Sequence, residues 1–93
     1  MPQVRIPPVL RADAGGERAV DVEASTVRDA LDALVAAHPG LEGRVRDGDG
    51  VPTFLNVFVD GEDIRLLRGL DTEVRPDATV LLLPAVAGGG RLR

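Results

Sequence analysis

The chain has 93 residues and a mass of 9.8 kDa, one domain's worth, and its fifteen acidic residues against eleven basic ones give a formal charge of −4. It contains no Cys, Trp or Tyr, one His and one Met, and every basic residue is Arg, so no thiol, lysine amine or phenol can act as a nucleophile and no disulfide, iron–sulfur cluster or two-histidine metal site can form. Composition therefore points away from an enzyme with its own active site, and the acidic balance points away from nucleic acid and towards a basic protein partner.

Val4 and Ile6 alternate with Gln3 and Arg5, the pattern of a strand with one buried face. Pro7 and Pro8 remove two backbone donors, so the strand bulges, sits at an edge or stops there, with Val9 and Leu10 as a candidate continuation. Asp13-Ala14-Gly15-Gly16 is a turn, and Arg18 to Glu23 alternates again with Val20 and Val22 on one face. These two strands make a hairpin.

Ser25-Thr26 opens a helix. Thr26 and Asp29 have the spacing of a capping box, with Ser25 a competing cap. Val27, Ala30, Leu31, Leu34 and Val35 then form one apolar stripe over roughly three turns. Pro39-Gly40 ends the helix. Leu41 to Arg46 is expected to form a short helical turn, and Asp47 to Gly50 a solvated loop.

Phe54 to Val59 is a strand with Leu55, Val57 and Val59 on one face and Phe54, Asn56 and Phe58 on the other. Asp60-Gly61 signals a hairpin, with Ile64 and Arg65 beginning a short return strand. Gly69-Leu70-Asp71 and Pro76-Asp77-Ala78 are turns. Val80 to Leu83 is a continuous aliphatic run, the pattern of a central strand covered on both faces. The fold class is therefore α+β: a mixed sheet of four to five strands covered by one main helix. With aromatics at 2%, its core must be aliphatic.

The opening MPQVRIPPVLR lacks a basic stretch followed by an apolar one, so no signal peptide is expected. The longest apolar run, Val80 to Ala87, is broken by Pro84 and is far too short to span a bilayer. A cytoplasmic protein with no membrane partner is expected.

The element order and four segments carry a resemblance to a known family. They are Val4-Arg5-Ile6-Pro7, Thr26 to Leu31, Phe54 to Arg65, and Leu82-Leu83-Pro84-Ala85-Val86-Ala87-Gly88-Gly89. Together they resemble the MoaD/ThiS-like sulfur carriers of the β-grasp, ubiquitin-like superfamily. The stretch LLPAVAGG is most similar to the cysteine-biosynthesis branch, of the mycobacterial type. The resemblance implies a β-grasp domain over residues 1–87 and a flexible tail over 88–93. It implies a protein cosubstrate rather than an enzyme, with no bound cofactor.

In such carriers an E1-like adenylating enzyme uses ATP to activate the terminal Gly. A sulfur donor then displaces AMP and leaves a thiocarboxylate. The implied partners are that E1-like enzyme, a PLP-dependent cysteine synthase or other sulfur acceptor, and a metalloprotease for tail or product release. The implied working residues are Gly89 and Gly88, with Gly90 in place of Gly89 if a cut falls one residue later.

The chain departs from the pattern in one respect: Gly90, Arg91, Leu92 and Arg93 follow the diglycine, which leaves Gly89 in a peptide bond. Either a peptidase removes these residues, or they are a remnant of cloning, or the protein is a relative that never carries sulfur. Removal of Arg91 and Arg93 would take the formal charge from −4 to −6. Rival functions are a sulfur carrier for molybdopterin, thiamin or a thio-containing natural product, a ubiquitin-like protein modifier, and a binding module without acyl chemistry.

Phe54 and Phe58, the only aromatics, have two readings: a docking patch for the activating enzyme, with Arg65 and Arg68 adding polar contacts, or ordinary packing. His38 sits where the helix ends, a position the helix dipole explains. Asp47 and Asp49 share the spacing of a calcium loop but lack its third ligand and its terminal acidic residue. Gly88 to Gly90 lacks the Lys and the following helix of a phosphate loop.

Overall fold

The computed structural model describes residues 1–48 and 50–85. The strands are β1 (Gln3–Arg5), β2 (Ala19–Asp21), β3 (Leu55–Val59), β4 (Glu62–Asp63) and β5 (Thr79–Pro84), and one α-helix, α1 (Val27–Ala37), packs on their sheet. The spatial order is β2-β1-β5-β3-β4. β1 pairs antiparallel with β2, Val4 opposite Val20, and parallel with β5, Val4 opposite Val80. β3 pairs antiparallel with β5, Val57 opposite Leu82. A parallel pair cannot be closed by a tight turn and needs a crossover, which the chain makes through α1. The last strand thus enters the middle of the sheet, the β-grasp arrangement that the resemblance implies.

α1 begins where its orphan donors find partners. Asp29 N–H donates to Thr26 Oγ1 at 3.1 Å, and Val27 N–H donates to the Thr72 carbonyl at 2.9 Å. Thr26 is therefore the cap and Ser25 is not: the Ser25 hydroxyl donates to the Asp29 carboxylate at 3.3 Å and accepts no helix N–H among the described residues. The helix ends at His38, whose N–H donates to the Leu34 carbonyl before Pro39. Its stripe of Val27, Ala30, Leu31 and Leu34 is fully buried against Val4, Val80 and Leu82, while Val35 is half-buried at the margin. Every residue of the hydrophobic core is Val, Leu, Ile or Ala.

Four expectations need correction. The strand stops before the prolines, as one reading allowed, but Val9 and Leu10 do not continue it: Pro8–Ala14 is a 3-10 helix that buries Leu10 and Ala14, and Gly15 at φ 66° closes it. Leu41 to Arg46 is not a helix. A 3-10 turn over Pro39–Leu41 buries Leu41, and the chain then turns tightly with Arg44 and Val45 N–H both donating to the Leu41 carbonyl.

The return strand is Glu62–Asp63, not Ile64 and Arg65. The Asp63 carboxylate accepts the Arg65 N–H at 2.9 Å and winds Ile64–Leu66 into a 3-10 turn. β5 is central as expected but covered on one face only. Val80 and Leu82 are fully buried, whereas Leu81 is half-buried and Leu83 is 40% exposed.

The loop at Asp47 to Gly50 is closed by reciprocal main-chain bonds between those two residues, while Asp49 lies outside the described residues. No helix of the described residues is long and apolar enough to cross a membrane. The expected boundary between residues 87 and 88, and the tail beyond it, also lie outside the described residues.

Candidate functional site

β5 determines where the C-terminal segment leaves the sheet. Its pairing with β3 runs from Val59–Val80 to Leu55–Pro84, and Ala85 N–H then donates to the Phe54 carbonyl. The chain is therefore held at the end of the sheet, beside Phe54, up to the last of the described residues. Gly88, Gly89 and Gly90 lie outside them.

The sheet face turned away from α1 is built from alternate residues of three strands. Directly opposed residues share a face. Phe58 of β3 lies opposite Leu81 of β5, which lies opposite Arg5 of β1. In the next row Asn56 lies opposite Leu83. Phe58, Asn56 and Leu81 are half-buried, and Leu83 and Arg5 are exposed. Phe54 is 51% exposed just before β3, where its carbonyl holds Ala85. The two aromatics thus stand outside the aliphatic core, on a partly apolar surface continuous with the exit of β5.

Leu81 and Leu83 belong to this surface and were missed from sequence, where the unbroken run Val80 to Leu83 hid the alternation. The signal was nevertheless present: one helix can cover only one face of a sheet, so every second residue of a central strand must face away from it.

Arg65 stands elsewhere, in the 3-10 turn after β4. Its Nη2 donates to Asp63 Oδ2 at 2.6 Å, and its Nε reaches both carboxylate oxygens at 3.2 Å. That hydrogen bonding holds the Asp63 carboxyl below its usual range and raises the guanidinium above its own. Arg65 is thus a partner of Asp63 first. His38 caps the far end of α1 from Ser25 and Asp29, so these three groups cannot form a catalytic set. Among the described residues no three His, Asp or Glu side chains gather as a metal site.

Comparison with known proteins agrees with this architecture. The model of the ThiS family matches residues 4–89. The sulfur carrier protein CysO of Mycobacterium tuberculosis is 35% identical over 89 residues, covering 92% of this chain and 96% of CysO. Small archaeal modifier protein 1 of Haloferax volcanii is 43% identical over 82 residues, covering 84% of this chain and 90% of that protein. Among solved structures, a chain from the Amycolatopsis orientalis BexX/CysO complex superposes with a TM-score of 0.89 at 38% identity, covering 96% of this chain and all of that one. With a β-grasp sheet beneath it and a family match over nearly its whole length, this chain belongs to the ThiS family of ubiquitin-like sulfur carriers.

Proposed function

We propose that this chain carries sulfur on the carboxylate of Gly89 after residues 90–93 have been removed, and that the sulfur enters cysteine. The observation that carries this reading is where the family match stops, on the second glycine of the pair at residue 89. The likeness to CysO supports cysteine as the destination.

A terminal carboxylate is ionised at neutral pH and is a poor electrophile. In the proposed cycle an E1-like enzyme brings ATP to it. The carboxylate oxygen bonds to the α-phosphorus and pyrophosphate leaves. A sulfur donor then attacks the acyl carbon, the bond to AMP breaks, and a thiocarboxylate remains. A PLP-dependent synthase consumes that sulfur by displacing the leaving group of an activated serine derivative. A metalloprotease then uses water to free the product from the carrier. Glycine suits the terminus because it has no Cβ to obstruct a narrow channel. The open face with Phe58, Leu81 and Leu83, together with Phe54 beside the exit of β5, supports a docking surface for the E1-like enzyme.

The test is intact mass after incubation with the host's E1-like enzyme, ATP and a sulfide donor. A chain ending at Gly89 gains one sulfur in place of one oxygen, and the 93-residue chain does not. Adenylation of the untrimmed chain would overturn the proposal. Phe58→Asp, assayed below its thermal midpoint where it is folded, lowers the adenylation rate by about tenfold or more, because it places a charge at the centre of the docking face.

The 43% identity to small archaeal modifier protein 1 favours one second reading, a ubiquitin-like modifier joined through the same glycine to other proteins. Adducts with isopeptide bonds in host cells are its signature.

A further inference from the structure

The free edge of β2 is a second surface, separate from the open sheet face. Main-chain parity fixes which of its groups point outward. Ile6 N–H donates to the Arg18 carbonyl at 2.8 Å and Val22 N–H to that of Pro2 at 2.9 Å, so even-numbered residues from Arg18 to Val22 bond to β1. Ala19 and Asp21 therefore turn their N–H and carbonyl groups the other way. β2 ends the sheet, and none of these groups has a main-chain partner among the described residues. Asp21 and Glu23 are exposed and Ala19 is half-buried, so the edge is open where Asp21 stands. An unpaired strand edge is a template for another strand.

The flanking side chains select the kind of strand. Ala19 and Asp21 stand opposite Arg5 and Gln3, so their side chains share the open face, whereas Val20 stands opposite the buried Val4, on the α1 side. Asp21 and Glu23 form no ion pair among the described residues. The cations nearby, Arg5 and Arg18, stand at the other end of the edge, around Ala19. On α1, Arg28 lines a groove with Val57 of β3, and Asp32 and Val35 lie towards Arg46. Helical spacing of about 100° per residue puts Ala30, Ala33 and Ala37 on the opposite flank, towards β2, where the helix offers alanines.

A second copy is a poor occupant for this edge. Two β2 edges laid antiparallel oppose Asp21 with Asp21, Asp21 with Glu23, or Glu17 with Glu23, according to register, and like charges directly opposed repel. A cationic strand meets attraction at the same positions.

We propose that the β2 edge is a strand-addition site for a short, extended, basic segment of a partner protein. The segment runs antiparallel to β2 and exchanges both main-chain bonds with Asp21. It sets basic side chains opposite Asp21 and Glu23, an uncharged one opposite Ala19 beside Arg5, and apolar ones between them on the α1 side, next to Val20.

The test titrates the isotope-labelled 93-residue chain with the acetylated, amidated peptide Arg-Val-Arg-Val-Thr. Two twins run beside it, one with Glu at both Arg positions and one N-methylated at the central Arg, which lacks the main-chain donor for Asp21. The expected result is amide shifts centred on Ala19, Asp21 and Glu23, and at least about tenfold slower hydrogen exchange at Asp21. Both twins bind at least about tenfold more weakly. Asp21→Asn together with Glu23→Gln weakens the basic peptide by about fivefold or more with the amide spectrum otherwise retained. Equal binding of either twin, shifts centred on Phe58, Leu81 and Leu83, or no shift at millimolar peptide would each overturn the proposal. So would slow exchange at Asp21 in the free chain that dilution or a cut after Ala87 removes, because a second copy or the chain's own end would then hold the edge.

Discussion

Thr26 holds the start of α1 with one hydroxyl, which accepts from Asp29 N–H at 3.1 Å. Its carbonyl accepts from Ala30 N–H at 3.0 Å, so removing the side chain frees one donor and leaves the rest of the first turn tied. Thr26→Ala should therefore cost about 1 kcal/mol in urea unfolding, and Thr26→Ser should restore most of it. Asp63 lends itself to a pH experiment. Its carboxyl sits below the ordinary range because Arg65 hydrogen-bonds to the charged form. The stability this contributes is complete above the unfolded carboxyl's pKa of about 4 and is lost as pH falls through the lower folded value. Asp63→Asn keeps an oxygen for the Arg65 N–H and removes only the charge. The wild type should be the more stable of the two at neutral pH, and the gap should close below about pH 4 and narrow in high salt.

At the level of elements, β5 turns one face to the core and the other to the open side of the sheet. Val80 and Leu82 belong to the core, while Leu81 and Leu83 face away from α1. Leu82→Ala should destabilise by about 2–5 kcal/mol through the cavity it leaves. Leu83→Ala should stay within about 0.5 kcal/mol of wild type and, under the proposed function, act only on docking to the activating enzyme. Paired urea melts and adenylation rates separate the two. Much of this architecture was legible beforehand. The stripe from Val27 to Leu34 has helical spacing, Leu55 to Val59 has strand alternation, and the Thr26–Asp29 spacing marks the cap. The diglycine was legible as a motif, whereas the open sheet face was only half legible. Phe58 stood out as a rare aromatic, but Leu83 was hidden in an aliphatic run with no period. The 3-10 helix at Pro8–Ala14 was missed because Pro7 and Pro8 signal the end of a strand without specifying the conformation of the next segment. The length of β4 depends on the Asp63 carboxylate capturing the Arg65 N–H, a side-chain event that alternation does not encode.

For the whole molecule, the decisive feature is that the core of the described residues ends at Leu82, three residues before their last. The last residue of the hydrophobic core is Leu82, and the last main-chain bond of the described body joins Ala85 to Phe54. A chain ending at Ala87 should therefore melt at the same denaturant midpoint as the 93-residue chain. It retains the sheet face and lacks any glycine carboxylate, so under the proposed function it is a docking-competent substrate without a reacting group. The expected outcome is competitive inhibition of the E1-like enzyme. Its inhibition constant should fall within about tenfold of the KM for the Gly89-ended carrier, since most of the binding comes from the body. The inhibition should vanish when Phe58→Asp is added to the truncated chain. If the truncated chain folds and does not inhibit, the tail rather than the sheet carries recognition. The role assigned to Phe58, Leu81 and Leu83 would then fall, while the chemistry assigned to Gly89 would stand.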